Sequence, residues 1–203
     1  MTQEDRLNPR FWNERYEINQ TPWDLGEPAP PLADFLAGPE GPSGGKILVP
    51  GCGRGHDALY LAEKGFEVVG IDFAPSAVEY CRQQAAERGL DSRAHFEQHD
   101  MFKLPRIFEG AFDFAFEHTC YCAIDPALRP QYAEVIHDIL KPGGKLLAVF
   151  WAHKREGGPP YRTTAGEIEV LFSPLFEIEQ LQPAKRWHPR RDGDELWGVL
   201  TRK

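Results

Sequence analysis

Three alternating glycines, Gly51-Cys52-Gly53-Arg54-Gly55, stand between an apolar run, 46–50 (KILVP), and a stretch in which Ala58, Leu59, Leu61 and Ala62 recur at helical spacing. A glycine-rich turn between a strand and a helix lets a ligand approach the backbone, and the free N–H groups of the helix start face that ligand. The pattern is G-x-G-x-G rather than the G-x-G-x-x-G of dinucleotide folds. Its plainer alternative is a tight turn that only needs positive φ. The remaining chain continues the strand–turn–helix unit. Gly65 ends the helix, 66–72 (FEVVGID) has the β-branched run of a buried strand, and Pro75-Ser76 opens a helix that runs to Gly89. Strands are expected at 94–100, 110–118 and 143–151, with a helix from about Arg129 to Leu140 ended by Lys141-Pro142-Gly143-Gly144. Two more strand-like runs, 176–184 and 195–203, have no helix expected between them and read as an antiparallel pair at the sheet edge. The expected fold is α/β: a doubly wound, Rossmann-like, seven-stranded and mainly parallel sheet with an antiparallel C-terminal pair. The Pro/Gly stretch 38–45 divides an N-terminal helical cover, 1–37, from an α/β core, 46–203, within one domain spanning 1–203.

Composition removes several classes of partner. The 203 residues include 31 acidic and 23 basic side chains, and the net charge of −8 repels phosphate backbones and anionic lipid surfaces. No apolar run approaches the roughly 18 residues of a membrane span. A small-molecule substrate is therefore expected, with no nucleic acid and no membrane, in a monomer or weak homodimer. Residues 1–20 contain no apolar signal core, so a cytoplasmic location is expected, and Cys52, Cys81, Cys120 and Cys122 read as reduced thiols. His95 and His99 lie on a strand-like segment where a spacing of four separates them by roughly 13 Å, so no metal site is expected.

Two carboxylates point to the ligand. Asp72 ends the second strand, 21 residues after Gly51, where an acidic side chain can accept hydrogen bonds from both hydroxyls of a ribose. Asp100-Met101 follows the third strand, where a carboxylate can receive an adenine amino group and an apolar neighbour can cover the ring. A helix cap for Asp72 and a solvent-facing loop for Asp100 are the bland alternatives. Together with the glycine turn these features look like a class I S-adenosylmethionine-dependent methyltransferase. The segments 11–32 (FWNERYEINQTPWDLGEPAPPL), 49–57 (VPGCGRGHD), 122–136 (CAIDPALRPQYAEVI) with 140–144 (LKPGG), and 157–161 (GGPPY) resemble the thiopurine S-methyltransferase family, including its plant halide/thiol branch. That resemblance implies S-adenosylmethionine as cofactor. It also implies that Trp12, Tyr16 and Trp23 come from a cover over the cofactor, and that Gly51, Gly53, Asp72, Asp100, Met101 and His118 line its pocket. The thiopurine enzymes carry arginine where this chain has His118, and 117–125 (EHTCYCAID) is closer to the halide/thiol branch.

The expected reaction is a single in-line displacement of a methyl group from sulfonium to a small soft nucleophile: a thiol, sulfide, thiopurine, halide or thiocyanate. An aromatic lid of Trp12, Tyr16 and Trp23 would strip water and face the cation, although the same rings suit plain core packing. A thiol of pKa about 8.5 is only a few per cent ionised at neutral pH, which makes His118 and Tyr121 the candidate bases. Trp23, Tyr121 and Tyr161 are the candidate acceptor contacts, Tyr161 because its loop follows the fifth strand. Competing readings are an oxygen- or nitrogen-directed methyltransferase, a cofactor-binding module without turnover, and an NAD-dependent oxidoreductase.

Overall fold

The buried runs pair into one seven-stranded sheet of order β3-β2-β1-β4-β5-β7-β6 in a computed structural model that describes residues 8–191 and 193–203. The strands are β1 (Lys46–Pro50), β2 (Glu67–Asp72), β3 (Ala94–Gln98), β4 (Phe112–His118), β5 (Leu140–Trp151), β6 (Phe176–Pro183) and β7 (Glu195–Arg202). β1 pairs in parallel with both β2 and β4, and β3 and β5 extend the parallel sheet on either side. β7 then runs antiparallel to β5, and β6 antiparallel to β7. Because the chain leaves β1 in one direction and returns on its other side as β4, the loops after β1 and β4 part and open a crevice at the carboxyl ends.

Both sheet faces are dry, which is why the strands read as continuous apolar runs. Ile47 and Val49 point to one face with α3 (His56–Glu63) and α4 (Pro75–Glu87), whereas Leu48 points to the other with α6 (Arg129–Ile139) and α7 (Ala165–Phe172), as the period of two requires. Each such fully buried aliphatic or aromatic side chain stabilises the fold by about 1.5–3 kcal/mol. α1 (Pro9–Glu17) and α2 (Pro30–Ala37) both start on a proline, whose missing N–H belongs to the unpaired first turn, and α1 is further capped by Asn8. α1 is fastened to α4, where the N–H and hydroxyl of Ser76 donate to Asn13 at 2.9 and 2.7 Å.

Two expectations change in detail. The 141–144 segment does not stop the chain between a helix and a strand: α6 ends at Ile139 and β5 begins at Leu140, with the register shift between Phe112 and Phe114 absorbing the extra residues. The sequence reading also passed over α5 (Pro105–Phe108) and α7. The start of α7 is marked by Thr164, which accepts from the Glu167 N–H as in a capping box. No helix of the described residues is long and apolar enough to cross a membrane.

Candidate functional site

The turn after β1 is built from left-handed glycines. Gly51 sits at φ +58° and Gly53 at φ +55°, and a Cβ on them would come within 2.9 Å of Cys120 Sγ and 3.0 Å of Tyr16 Oη. Both the backbone conformation and the space therefore demand glycine at these two positions. The Gly53 N–H donates to Asp72 Oδ2 at 2.8 Å and the Ala74 N–H to Oδ1 at 2.9 Å, so the end of β2 and the glycine turn are locked together. Burial raises the Asp72 pKa, and the N–H groups of Ala74, Gly53 and Phe73 oppose that rise by solvating the carboxylate.

A cavity of about 940 Å³ opens over the carboxyl ends of the strands. Its floor carries Gly51, Asp72, Asp100 and Met101, and its cover is Trp12, Tyr16 and Trp23. The cover rings meet edge to face, Trp23 lying 5.4 Å from Trp12 and 5.8 Å from Tyr16 between centroids, and Trp23 Nε1 donates to the Tyr16 hydroxyl at 3.2 Å. Burial, followed by the Asp72 charge, raises the Tyr16 pKa well above its usual value, so this phenol stays neutral. Seven of the expected residues thus meet in one space. Four others do not line it.

Gly53 lies just behind the wall, where it serves the cavity through its bond to Asp72. His118 stands on the far side of the glycine turn, with its side chain 9% exposed and its Nδ1 2.7 Å from Asp57 Oδ2, and Asp57 Oδ1 accepts the Ala29 N–H at 2.7 Å. Burial alone would lower the pKa of this imidazole, but the Asp57 carboxylate, aided by the Glu195 charge, raises it above the ordinary value. Tyr121 is 1% exposed, packed against Tyr132, Phe150 and Phe172, and its hydroxyl donates to Glu167 Oε1 at 3.2 Å. Burial pushes its pKa further up from the phenol range. Neither residue expected to act as a base lines the cavity: His118 is a buried ion-pair partner and Tyr121 a core aromatic. Tyr161 also lies outside the lining, which takes Gly158, Pro159 and Pro160 from the same loop instead. Its backbone N–H donates to the Cys122 carbonyl at 2.6 Å and so fastens that loop to the end of β4.

The lining residues that the sequence did not single out for the site include Cys120, Trp151 and Arg155. The signal that could have found the last two is topological, since everything that follows a parallel strand emerges at the same edge of the sheet. Cys120 lies beside the floor, its thiol 4.0 Å from Met101 Sδ, while Trp151 ends β5 and Arg155 belongs to the loop after it. The groups around the ends of β2 and β3 fit an adenosyl sulfonium: two carboxylates to accept from hydroxyl and amino groups, a thioether beside them, and three aromatic rings overhead for a cation.

Comparison with known proteins leads to the same chemistry. The family model described as thiopurine S-methyltransferase matches residues 7–201. An Arabidopsis thaliana protein named probable thiol methyltransferase 2 is 36% identical over 167 residues, which is 81% of this chain and 72% of that protein. Thiocyanate methyltransferase 1 of the same plant is 31% identical over 191 residues, covering 92% of this chain and 82% of its own. Among solved structures, the Burkholderia thailandensis 1,6-didemethyltoxoflavin-N1-methyltransferase with bound S-adenosylhomocysteine superposes with a TM-score of 0.73 at 20% identity, over 96% of this chain and 87% of that one. At that identity the likeness shows the fold alone.

Proposed function

The chain belongs to the thiopurine S-methyltransferase family and is an S-adenosylmethionine-dependent methyltransferase. From that premise we propose how its residues divide the work of methylating a small soft nucleophile: a thiol, sulfide, thiopurine, halide or thiocyanate. The observation that carries the reading is the single cavity whose lining brings Asp72, Asp100 and Met101 together with the sulfur and aromatic groups of Cys120, Cys122 and Trp151. When bound, the cofactor supplies a methyl group on a sulfonium that a good nucleophile displaces in line. Asp72 accepts from the ribose hydroxyls and Asp100 from the adenine amino group, with Met101 over the ring. Residues 8–37 act as the cover, and residues 1–7 of the expected cover lie outside the described residues. Trp12, Tyr16 and Trp23 face the cation and shed the water shell of an anionic nucleophile. With His118 and Tyr121 outside the cavity lining, neither takes a proton from the acceptor, and a thiol reacts as the thiolate that solvent provides. The net charge of −8 and the four free cysteines support a cytoplasmic protein without nucleic-acid partners, acting as a monomer or weak homodimer.

The test is methyl transfer from labelled cofactor to iodide, thiocyanate, bisulfide, an aryl thiol, a thiopurine and a phenol. Turnover is expected with the sulfur and halide acceptors, and with thiols it should rise with pH in proportion to the thiolate fraction. A preference for the phenol would overturn the reading in favour of an oxygen-directed enzyme.

A further inference from the structure

Among the described residues, five arginine, aspartate or histidine side chains line the cavity: Arg15, Asp72, His99, Asp100 and Arg155. Four have partners within the protein. Arg15 donates to the Phe11 carbonyl at 2.8 Å and lies 3.5 Å over that ring, and Asp72 holds two backbone N–H groups. His99 sits 2.8 Å from Glu97, and Asp100 caps the Phe102 N–H and lies 3.5 Å from Lys103. The Arg155 guanidinium has no carboxylate partner among the described residues. Among the described residues it lies over the Trp151 ring, 5.3 Å from the centroid. That indole is a fixed platform: it is buried, and Arg191 lies 4.1 Å over it. Arg191 is itself held by Glu195 at 3.4 Å and by the Trp23 carbonyl at 3.1 Å, so its charge is balanced, whereas no carboxylate of the described residues balances that of Arg155.

The position of this unbalanced cation matters. Asp72 ends β2 and Trp151 ends β5, three strand spacings apart across β1 and β4, or about 14 Å at roughly 4.8 Å per strand. The adenosine contacts occupy the first end, so Arg155 stands at the end left for the acceptor. At about 940 Å³ the cavity is near the top of the range of roughly 300–1,000 Å³ that encloses a whole drug-sized ligand, so a ring fits there beside the cofactor. The same lining includes Trp151, Pro159, Pro160 and Ile124, which suit an aromatic ring. On a chain of net charge −8, a solitary guanidinium at a cavity mouth attracts anions and presents a forked donor edge that matches a carboxylate.

We propose that Arg155 is a specificity-determining residue that selects aryl thiols carrying a carboxylate, holding that carboxylate while the sulfur faces the methyl group. The proposal rests on the S-methyltransferase reading above. In the reaction the thiol proton leaves to solvent, the thiolate electron pair forms the new S–CH3 bond, and the pair of the breaking bond stays on the cofactor sulfur as a neutral thioether. The carboxylate is unchanged throughout.

The test measures kcat/KM for 4-mercaptobenzoate and for thiophenol in the wild type, Arg155→Ala and Arg155→Lys. Arg155 is exposed, so both variants should fold. The ratio of the two constants should fall tenfold or more in Arg155→Ala, mainly through KM for the carboxylated thiol, and recover in part in Arg155→Lys. A ratio within twofold of the wild type in Arg155→Ala would overturn the assignment. If neither thiol is methylated, the S-methyltransferase reading fails instead, and the Arg155 claim is still read by titrating 4-(methylthio)benzoate and thioanisole into protein saturated with S-adenosylhomocysteine. Equal affinities there would refute it, and a preference for the benzoate that Arg155→Ala abolishes would uphold it.

Discussion

Glu117 is fully buried at the end of β4, where its carboxylate accepts the Tyr121 N–H at 2.8 Å and the Tyr132 hydroxyl. Burial pushes its pKa up from 4.5 to about 7, against the lowering by the Tyr132 and Tyr121 donors. The native state therefore prefers the protonated acid. Its contribution to stability is fully present below about pH 4.5 and is lost as the pH rises through about 7, at about 1.4 kcal/mol for each unit between the two pKa values. Glu117→Gln keeps the size and an acceptor and removes the titration. The drop in urea midpoint between pH 5 and pH 8 should thus be smaller in the variant than in the wild type, while the raised pKa of His118 leaves both with a residual decline above pH 6.5. Identical pH slopes would show that Glu117 is ionised in the fold. The segment 117–125 carries titratable groups, which is why His118 and Tyr121 drew the base role from sequence. Titratability is visible in a sequence, but burial at a strand end is not, since β4 turns Glu117 and Tyr121 into the α6–α7 core and His118 towards Asp57.

The cover owes its position to residues far away in the chain. Arg190 donates to the Asp24 and Pro22 carbonyls, Arg191 to the Trp23 carbonyl, and the Ala29 N–H to Asp57, so the 22–29 segment is strapped down by the turn before β7 and by α3. Arg190→Ala removes two charge-assisted bonds of about 1.5–3 kcal/mol each when well formed. Amide exchange across 22–29 should speed up tenfold or more while the amides of β1 and β4 keep their protection. Unchanged exchange in the variant would mean that ring packing between Trp12, Tyr16 and Trp23 alone holds the cover. The aromatic spacing of the cover was readable from the sequence because Trp12 and Tyr16 share a helix face, and so were the buried strands, each an apolar run. The strap was not, because about 165 residues separate Arg190 from its acceptors and no periodicity links them. α7 could have been found from Thr164 and Glu167, and β5 was shortened in the reading because Pro142-Gly143-Gly144 look like a terminus when they form an irregular strand entry.

In the whole molecule, the parting of loops at β1 and β4 sets where a ligand can act on stability. A ligand in that crevice touches the glycine turn, the ends of β2 and β3 and the cover at once, so it couples the two sides of the sheet to the N-terminal segment. Such a ligand binds the native state alone and stabilises it by RT ln(1 + [L]/Kd), about 2.7 kcal/mol at a hundredfold excess over Kd. For a chain of this size each kcal/mol moves Tm by about 2–4 °C, so S-adenosylhomocysteine at that excess should raise Tm by roughly 5–10 °C. NADH should leave it unchanged, because the turn is G-x-G-x-G and Asp100-Met101 suits an adenine rather than a second nucleotide. Asp72→Asn weakens the ribose contact and should shrink the shift at a fixed ligand concentration while leaving the apo Tm near that of the wild type, since the amide oxygen can still receive one of the two N–H groups that Asp72 now holds. Equal shifts for the two ligands, or a full shift in Asp72→Asn, would remove the adenosine assignment from the end of β2. A normal shift in the wild type that Arg190→Ala reduces would instead show that closing the cover is part of binding.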